Sequence, residues 1–395
     1  MPFKKYLISL FSMISLFLVF TLSSIIFMYR SDELKTLPVL VSEQISENKI
    51  ANIVKSPLLP YRIEMYAQMK PEIIILGSST AMLYRQSMFT RPIYNLGGAG
   101  WGPYESAYVL EQVLKIHKPK FILFSQDIFT LCDNANEINK SVSVPGSVTG
   151  FHAINRGYDS SISAVLDLFK KGHLSISDYM KVIFTDFTTT GYSANFFGVF
   201  GKISLRGIAR DGSKVNASTL LDKSKLPFNV KNDSHFEVCK SSKFRFEMLE
   251  FLISRVQKMG VKILGFLPPL APSAYQEIFI KNDKLLPLRE QYRNFRFRSS
   301  KVGFDEYFDF TNPDAVNAHN CEFIDNIHFG DVVAAKVILK MLQKKSNLMV
   351  DLSNLDILKS MVNETWGYNS IVYDDYLKPL KDSFIYQRDN SPKCP

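Results

Sequence analysis

The chain has 395 residues, 46% hydrophobic and 22% charged, which excludes a disordered protein and leaves room for one large domain with insertions or two ordinary ones. A net charge of +9 would suit nucleic acid, an anionic membrane surface or an acidic polymer. No helix-turn-helix, zinc-finger or RNP-like signature accompanies it, so no nucleic-acid partner is expected and a solvated basic surface near a membrane is the simpler reading.

The N-terminus comes first in chain order. Lys4 and Lys5 precede an uncharged apolar run from Tyr6 to Tyr29, closed by Arg30. Its 24 residues exceed the roughly 20 that a helix needs to span a bilayer. A cleaved signal peptide would have a shorter apolar core and a small-x-small site. Residues 1–30 are therefore expected to be an uncleaved transmembrane anchor. Lys4 and Lys5 should stay cytoplasmic, with the rest of the chain outside, in a periplasm if the cell is Gram-negative. Residues 31–70 read as a stalk, with Pro57 and Pro60 breaking any long helix.

From residue 71 short apolar runs alternate with helical patterns. Glu72–Leu76 reads as a buried strand bounded by Pro71 and Gly77, and Ser79–Phe89 as the helix after it. Ile93–Leu96 is a second strand, ending in Gly97-Gly98-Ala99-Gly100. Pro103–His117 is a helix and Phe121–Phe124 a third strand. Residues 134–238 break the alternation, being rich in Ser, Thr, Asn and Gly, and read as an insertion or cap. Phe244–Met259 then gives a helix stopped by Gly260, Val261–Leu267 a strand, Leu285–Ser300 a helix and Tyr307–Phe310 a strand. Ala334, Val337, Ile338, Met341 and Leu342 mark a last amphipathic helix, and residues 346–395 a C-terminal extension with one helix, Leu352–Trp366.

This alternation predicts an α/β fold, a flavodoxin-like parallel sheet sandwiched by helices. Ligand sites of such sheets lie beyond the carboxyl ends of the strands. Ser79, Gly100, Gln126, Asp127, Pro268 and Asp325 each follow a predicted strand or its loop, so separate segments converge on one edge.

Two motifs carry chemistry. Gly77-Ser78-Ser79 places a hydroxyl immediately after the first strand; Asp325-x-x-His328 lies just before the last long helix. A serine becomes a nucleophile when a base takes its proton, and an Asp can hold the His base in the right tautomer. Ser78 is the competing nucleophile. His117, His152, His173, His235 and His319 have no comparable setting. The four cysteines, Cys132, Cys239, Cys321 and Cys394, show no C-x-x-C spacing, so no metal site is expected. In an oxidising compartment they allow one or two disulfides, and free buried thiols are the other possibility.

An early serine and a late Asp-x-x-His, with Asn95-Leu96-Gly97-Gly98-Ala99-Gly100 between them, resemble the SGNH (GDSL-like) hydrolase superfamily over residues 71–345. That resemblance implies a triad of Ser79, Asp325 and His328, and an oxyanion hole from the backbone of Ser79 and Gly100. The family's third block usually reads Gly-x-Asn-Asp, its Asn donating to the oxyanion. Here Ser125-Gln126-Asp127 stands instead, and Gln126 is the available donor. The first block is altered too, with Gly77-Ser78-Ser79 where the family usually has Gly-Asp-Ser, and both departures are similar to a membrane-anchored branch that includes teichoic-acid D-alanylation and alginate acetylation proteins. The resemblance thus implies transfer of an acyl group, expected to be acetyl, to a cell-envelope glycan. It implies no cofactor and allows a multipass membrane O-acyltransferase as partner in the inner membrane. Plain ester hydrolysis, and a catalytically silent glycan-binding or scaffold protein, are the alternatives.

Overall fold

The computed structural model describes residues 2–30, 37–47, 50–51, 58–100, 102–131, 166, 169–170, 175–184, 197–198, 206–216 and 243–363. The chain divides into two units, residues 1–57 with 144–207, and residues 58–143 with 208–395.

The first unit carries the N-terminal helix, Pro2–Arg30. Its segment Phe3–Phe27 is long and apolar enough to cross a membrane. A second helix, Ile176–Phe184, packs against it.

The second unit is an α/β fold. Five strands, β1 Ile73–Leu76, β2 Ile93–Asn95, β3 Phe121–Ser125, β4 Lys262–Leu267 and β5 Glu306–Asp309, form one sheet. Its order is β2-β1-β3-β4-β5 and every pairing is parallel. Parallel sheets need both faces covered, hence the near-continuous Ile, Leu and Phe of β1, β3 and β4. Every residue of β1 and β3 is buried.

Helix α1, Leu58–Met69, precedes β1, and α2, Pro103–Ile116, links β2 to β3. Helix α3, Lys243–Lys258, leads into β4, and α4, Leu286–Ser299, into β5. Helix α5, Asp331–Gln343, follows the Asp325–His328 loop, and α6, Leu355–Asn363, packs on it. Right-handed crossovers that step one way along the sheet put α2, α3 and α4 on one face. Phe246 of α3 and Phe295 of α4 accordingly lie with ring centres 5.7 Å apart.

The structure moves three sequence-based boundaries. The expected stalk ends earlier, because Tyr61, Arg62, Met65 and Tyr66 of α1 are fully buried in the second unit. Pro60 sits in the first turn of α1, where a missing N–H costs nothing. Residues 208–216, expected within the insertion, also belong to the second unit, and Ala209, Asp211, Ser213 and Val215 are buried. There Asn95 N–H donates to the Asp211 carbonyl (2.7 Å), and Arg62 Nη1 donates to the carbonyls of Asn95 and Gly212. The described part of the C-terminal extension is likewise built in: Leu358 and Met361 of α6 are fully buried, and Thr90 N–H donates to the Leu352 carbonyl at 2.9 Å. Residues 364–395, including the end of the expected helix Leu352–Trp366, fall outside the described residues, as do Cys132, Cys239 and Cys394.

A fourth difference concerns the expected helix Ser79–Phe89. Two short 3-10 turns, Ser79–Leu83 and Gln86–Met88, stand there, separated by extended Tyr84 and Arg85. The Asn95 side-chain amide donates to the carbonyls of Ala81 (2.8 Å) and Tyr84 (2.9 Å). Those carbonyls would serve the next turn of an α-helix, so Asn95 satisfies them instead.

Candidate active site

β1 ends in Gly77, which has φ of +144° and lies so close to β3 that a Cβ would come 2.5 Å from the Ser125 carbonyl oxygen. Only glycine tolerates both conditions. The chain then turns sharply through Ser78 and Ser79. β1 and β3 are in register, with Leu76 opposite Phe124. Ser78–Thr80 and Ser125–Asp127 therefore leave the sheet at about the same height.

The second segment arrives from the other end of the chain. Phe323 and Phe329 form an isolated antiparallel bridge, and their buried rings meet edge to face at 6.1 Å. Ile324 N–H donates to the His328 carbonyl (2.9 Å), closing the loop between them. Within it the Asp325 Oδ1 atom accepts the N–H groups of Ile327 (2.9 Å) and His328 (2.7 Å). This Asx-type turn, rather than a helical turn, sets Asp325 beside His328. A buried ion pair ties the two segments together: Arg85 lies 3.2 Å from Asp331, the first residue of α5.

The three triad residues expected from sequence meet here. Ser79 Oγ lies 2.6 Å from His328 Nε2, and His328 Nδ1 lies 2.7 Å from Asp325 Oδ2. All three are partly open to solvent. Burial is the largest single influence on the Asp325 carboxyl and pushes its pKa up. The hydrogen bond and charge of His328, with the N–H groups of His328 and Ile327, outweigh burial and hold it below the ordinary carboxylate value. An ionised Asp325 accepts from Nδ1–H. A neutral imidazole then has Nε2 as its acceptor, so the Ser79 hydroxyl donates to it.

The oxyanion residues are placed differently. Gly100 packs on the first turn of α2, where a Cβ would fall 2.8 Å from Ser106 Oγ and 3.0 Å from Ser106 N. Gln126 N–H donates to the Phe266 carbonyl of β4 (2.8 Å), so only its side chain could reach a substrate. The residue is 3% exposed, and its Oε1 has no hydrogen-bond partner. Gly100 and Gln126 line one small cavity together with Gly77 and Ser78. Gln126 also lines a second pocket with Asp127, Phe129, Tyr292, Phe295 and Ile327.

A second cluster was not anticipated from sequence. Asp127 Oδ2 accepts a hydrogen bond from Ser78 Oγ and another from Thr80 Oγ1 at 2.8 Å. Thr80 Oγ1 also lies 3.4 Å from Ser125 Oγ. All four residues are buried. Asp127 thus grips the turn on both sides of Ser79. Ser78, the competing nucleophile, donates its hydroxyl to Asp127 within this grip. Buried Tyr84 stands nearby; burial, with the Asp127 charge second, drives its phenol pKa well up. The signal available in sequence was a hydroxyl run after one strand and an acid after another, which acquires meaning only once the strand register is known.

Comparison with family models, with curated proteins and with solved structures finds no match to this chain. Among the described residues no group of His, Cys, Asp and Glu is arranged to hold a metal ion.

Proposed function

We propose that this protein transfers an acyl group through Ser79, as an SGNH-like enzyme anchored in the inner membrane with its catalytic unit outside the cytoplasm. The observation that carries the reading is the unbroken chain Ser79 Oγ, His328 Nε2, His328 Nδ1, Asp325 Oδ2, with contacts of 2.6 and 2.7 Å at its two junctions. Such a chain is the minimum apparatus for making a serine nucleophilic. The apolar N-terminal helix supports the anchor. The disulfide-bonded state of Cys321 supports an oxidising compartment.

In this reading Ser79 Oγ attacks the acyl carbonyl carbon while His328 Nε2 takes the hydroxyl proton. Asp325 keeps the imidazole oriented and stabilises the imidazolium. The oxyanion is met by the N–H groups of Ser79 and Gly100 and by the Gln126 side-chain amide. As the carbon–leaving-group bond breaks, His328 returns the proton to the departing oxygen. An acceptor hydroxyl then attacks the Ser79 ester, passes its proton to His328, and leaves with the acyl group as Ser79 is regenerated. The expected acyl group is acetyl and the expected acceptor a cell-envelope glycan. A multipass membrane O-acyltransferase would be the source of activated acyl groups.

Hydrolysis is the second reading, favoured by the solvent exposure of Ser79 and His328, which admits water as the acceptor. Full-length protein in detergent, given an aryl acetate with and without an envelope oligosaccharide, separates the two. Transfer is expected to yield acylated sugar and to reduce the share of acetyl released as acetate. Release of all acetyl to water, with no tested glycan modified, would leave an esterase. Activity unaffected by Ser79→Ala would remove the serine mechanism, and no activity even in the wild type would favour a glycan-binding or scaffold role.

A further inference from the structure

Helix Ile176–Phe184 lies far along the chain from the N-terminal helix, yet it packs on that helix's last turns. The Tyr179 hydroxyl lies 2.8 Å from Ser23 Oγ and 3.2 Å from Ser24 Oγ. Its ring stacks on Phe27, with centres 5.2 Å apart, and Phe169 meets it edge-on at 5.2 Å. Tyr179, Ser24 and Phe27 are buried, and so is Ile183, one turn beyond Tyr179. That accounts for one side of the short helix.

The adjoining side is apolar as well. Ile176, Met180 and Phe184, spaced i, i+4 and i+8, form a stripe and are 74%, 46% and 72% exposed. Ser177 and Lys181 occupy the next arc. The N-terminal helix that it packs on is itself apolar at its surface, with Leu16, Phe17, Leu18, Val19 and Leu22 exposed. Three large apolar side chains on a helix of nine residues are unfavourable in water. Beside a helix that is itself in lipid, the bilayer is their solvent.

We infer that Ile176–Phe184 is a second membrane contact, an amphipathic helix seated in the lipid interface beside the end of the span. Ile176, Met180 and Phe184 enter the acyl-chain region, and Ser177 and Lys181 stay at the headgroups, the arrangement expected of an interfacial helix. Tyr179 sits at the depth where tyrosine concentrates in membrane proteins. Its hydroxyl supplies Ser23 and Ser24 with a hydrogen-bond partner where water is scarce. The inference rests on the N-terminal helix being in the bilayer and is independent of the chemistry at Ser79.

The test uses the full-length chain in vesicles of phosphatidylethanolamine and phosphatidylglycerol. The photoreactive residue benzoylphenylalanine is placed singly at Leu16, Met180, Phe184, Ser177 and Lys181, and lipid adducts are read by mass spectrometry. Met180 and Phe184 are expected to label lipid about as strongly as Leu16 and roughly tenfold more than Ser177 and Lys181, since only the apolar arc reaches the acyl chains. Strong labelling from Leu16, with Met180 and Phe184 no better than Ser177 and Lys181, would overturn the inference. Cross-links from Phe184 to a second copy of the chain would overturn it in favour of self-association. Failure of Leu16 itself to label would remove the membrane placement of the N-terminal helix, and this inference with it, while leaving the serine mechanism untouched.

Discussion

Two polar clusters adjoin one another at the carboxyl edge of the sheet, built from similar side chains in opposite surroundings. Ser78, Thr80, Ser125 and Asp127 are buried, and their hydroxyls converge on or beside one carboxylate. Ser79, His328 and Asp325 are partly open, and a histidine stands between hydroxyl and carboxylate. Adjacent serines therefore have different work. A carboxylate bonded directly to a hydroxyl is a poor base near neutral pH, because its ordinary pKa is about 4, but it is a firm acceptor. An imidazole placed between the two can take the proton and give it back. The buried cluster holds the turn, and the open one is equipped to react.

Substitution of the two serines' partners should break this comparison cleanly. Ser79→Ala is expected to lower esterase or transferase turnover by about 10³-fold or more, since nucleophile and base act as a unit. It should shift thermal unfolding by less than about 1 kcal/mol, because the Ser79 side chain is partly exposed. Asp127→Ala should do the reverse first. It removes the carboxylate to which the Ser78 and Thr80 hydroxyls donate in a buried site, at a cost of about 2–4 kcal/mol in unfolding measurements. Asp127→Asn keeps an acceptor oxygen and should recover much of that stability. If Asp127→Ala unfolds like wild type, the grip is not structural and the comparison fails.

The ion pair that joins the Ser79 segment to the His328 segment sharpens it further. Arg85 and Asp331 have side chains only 4% and 3% exposed. Arg85→Ala would remove the cation that faces the buried Asp331 carboxylate, and about 3 kcal/mol of stability should be lost. Arg85→Ala paired with Asp331→Ala should cost less than Arg85→Ala alone. A double variant as damaged as the sum of the two singles would show that the pair does not couple the nucleophile segment to the base segment.

The legible and illegible parts of this molecule divide along physical lines. Four of the sheet strands were readable because Ile73–Leu76, Ile93–Asn95, Phe121–Ser125 and Lys262–Leu267 must be apolar when both faces are covered. Glu306–Asp309 was readable more from its place after α4 than from its composition. Ser79, Asp325 and His328 could be singled out by their order along the chain, and their side chains do meet. The failures share one cause, long-range contacts overriding local pattern. Asn95 ended the helix expected at Ser79–Phe89 from outside that segment. Asp211 and Ser213 look like loop residues, and they are buried because Asp211 Oδ1 accepts from the N–H and hydroxyl of Ser213 while Oδ2 accepts the Gln86 N–H. Asp127 could be located in sequence, but its partners could not, since they depend on the register of β1 against β3.

The smallest expected effect tests the open cluster through pH. Burial alone would raise the Asp325 pKa, yet the His328 hydrogen bond and charge, together with two backbone N–H groups, hold it below the unfolded value of 3.8. Around pH 4 the unfolded chain therefore binds more protons at this position than the folded one, so stability rises with pH there. The contribution is complete above the unfolded value and is lost as pH falls through the folded one. Asp325→Asn lacks it at every pH. The stability gap between wild type and Asp325→Asn should be constant near neutral pH and narrow below about pH 4, where the unfolded chain takes up a proton that folded Asp325 still resists. Because the side chain is 40% exposed, solvent screening should keep this pH-dependent part under about 1 kcal/mol. Denaturant unfolding of both proteins from pH 3 to pH 7 would measure it. A gap that stays flat across that range would mean that Asp325 is not held ionised by His328, and the orientation of the imidazole would need another source.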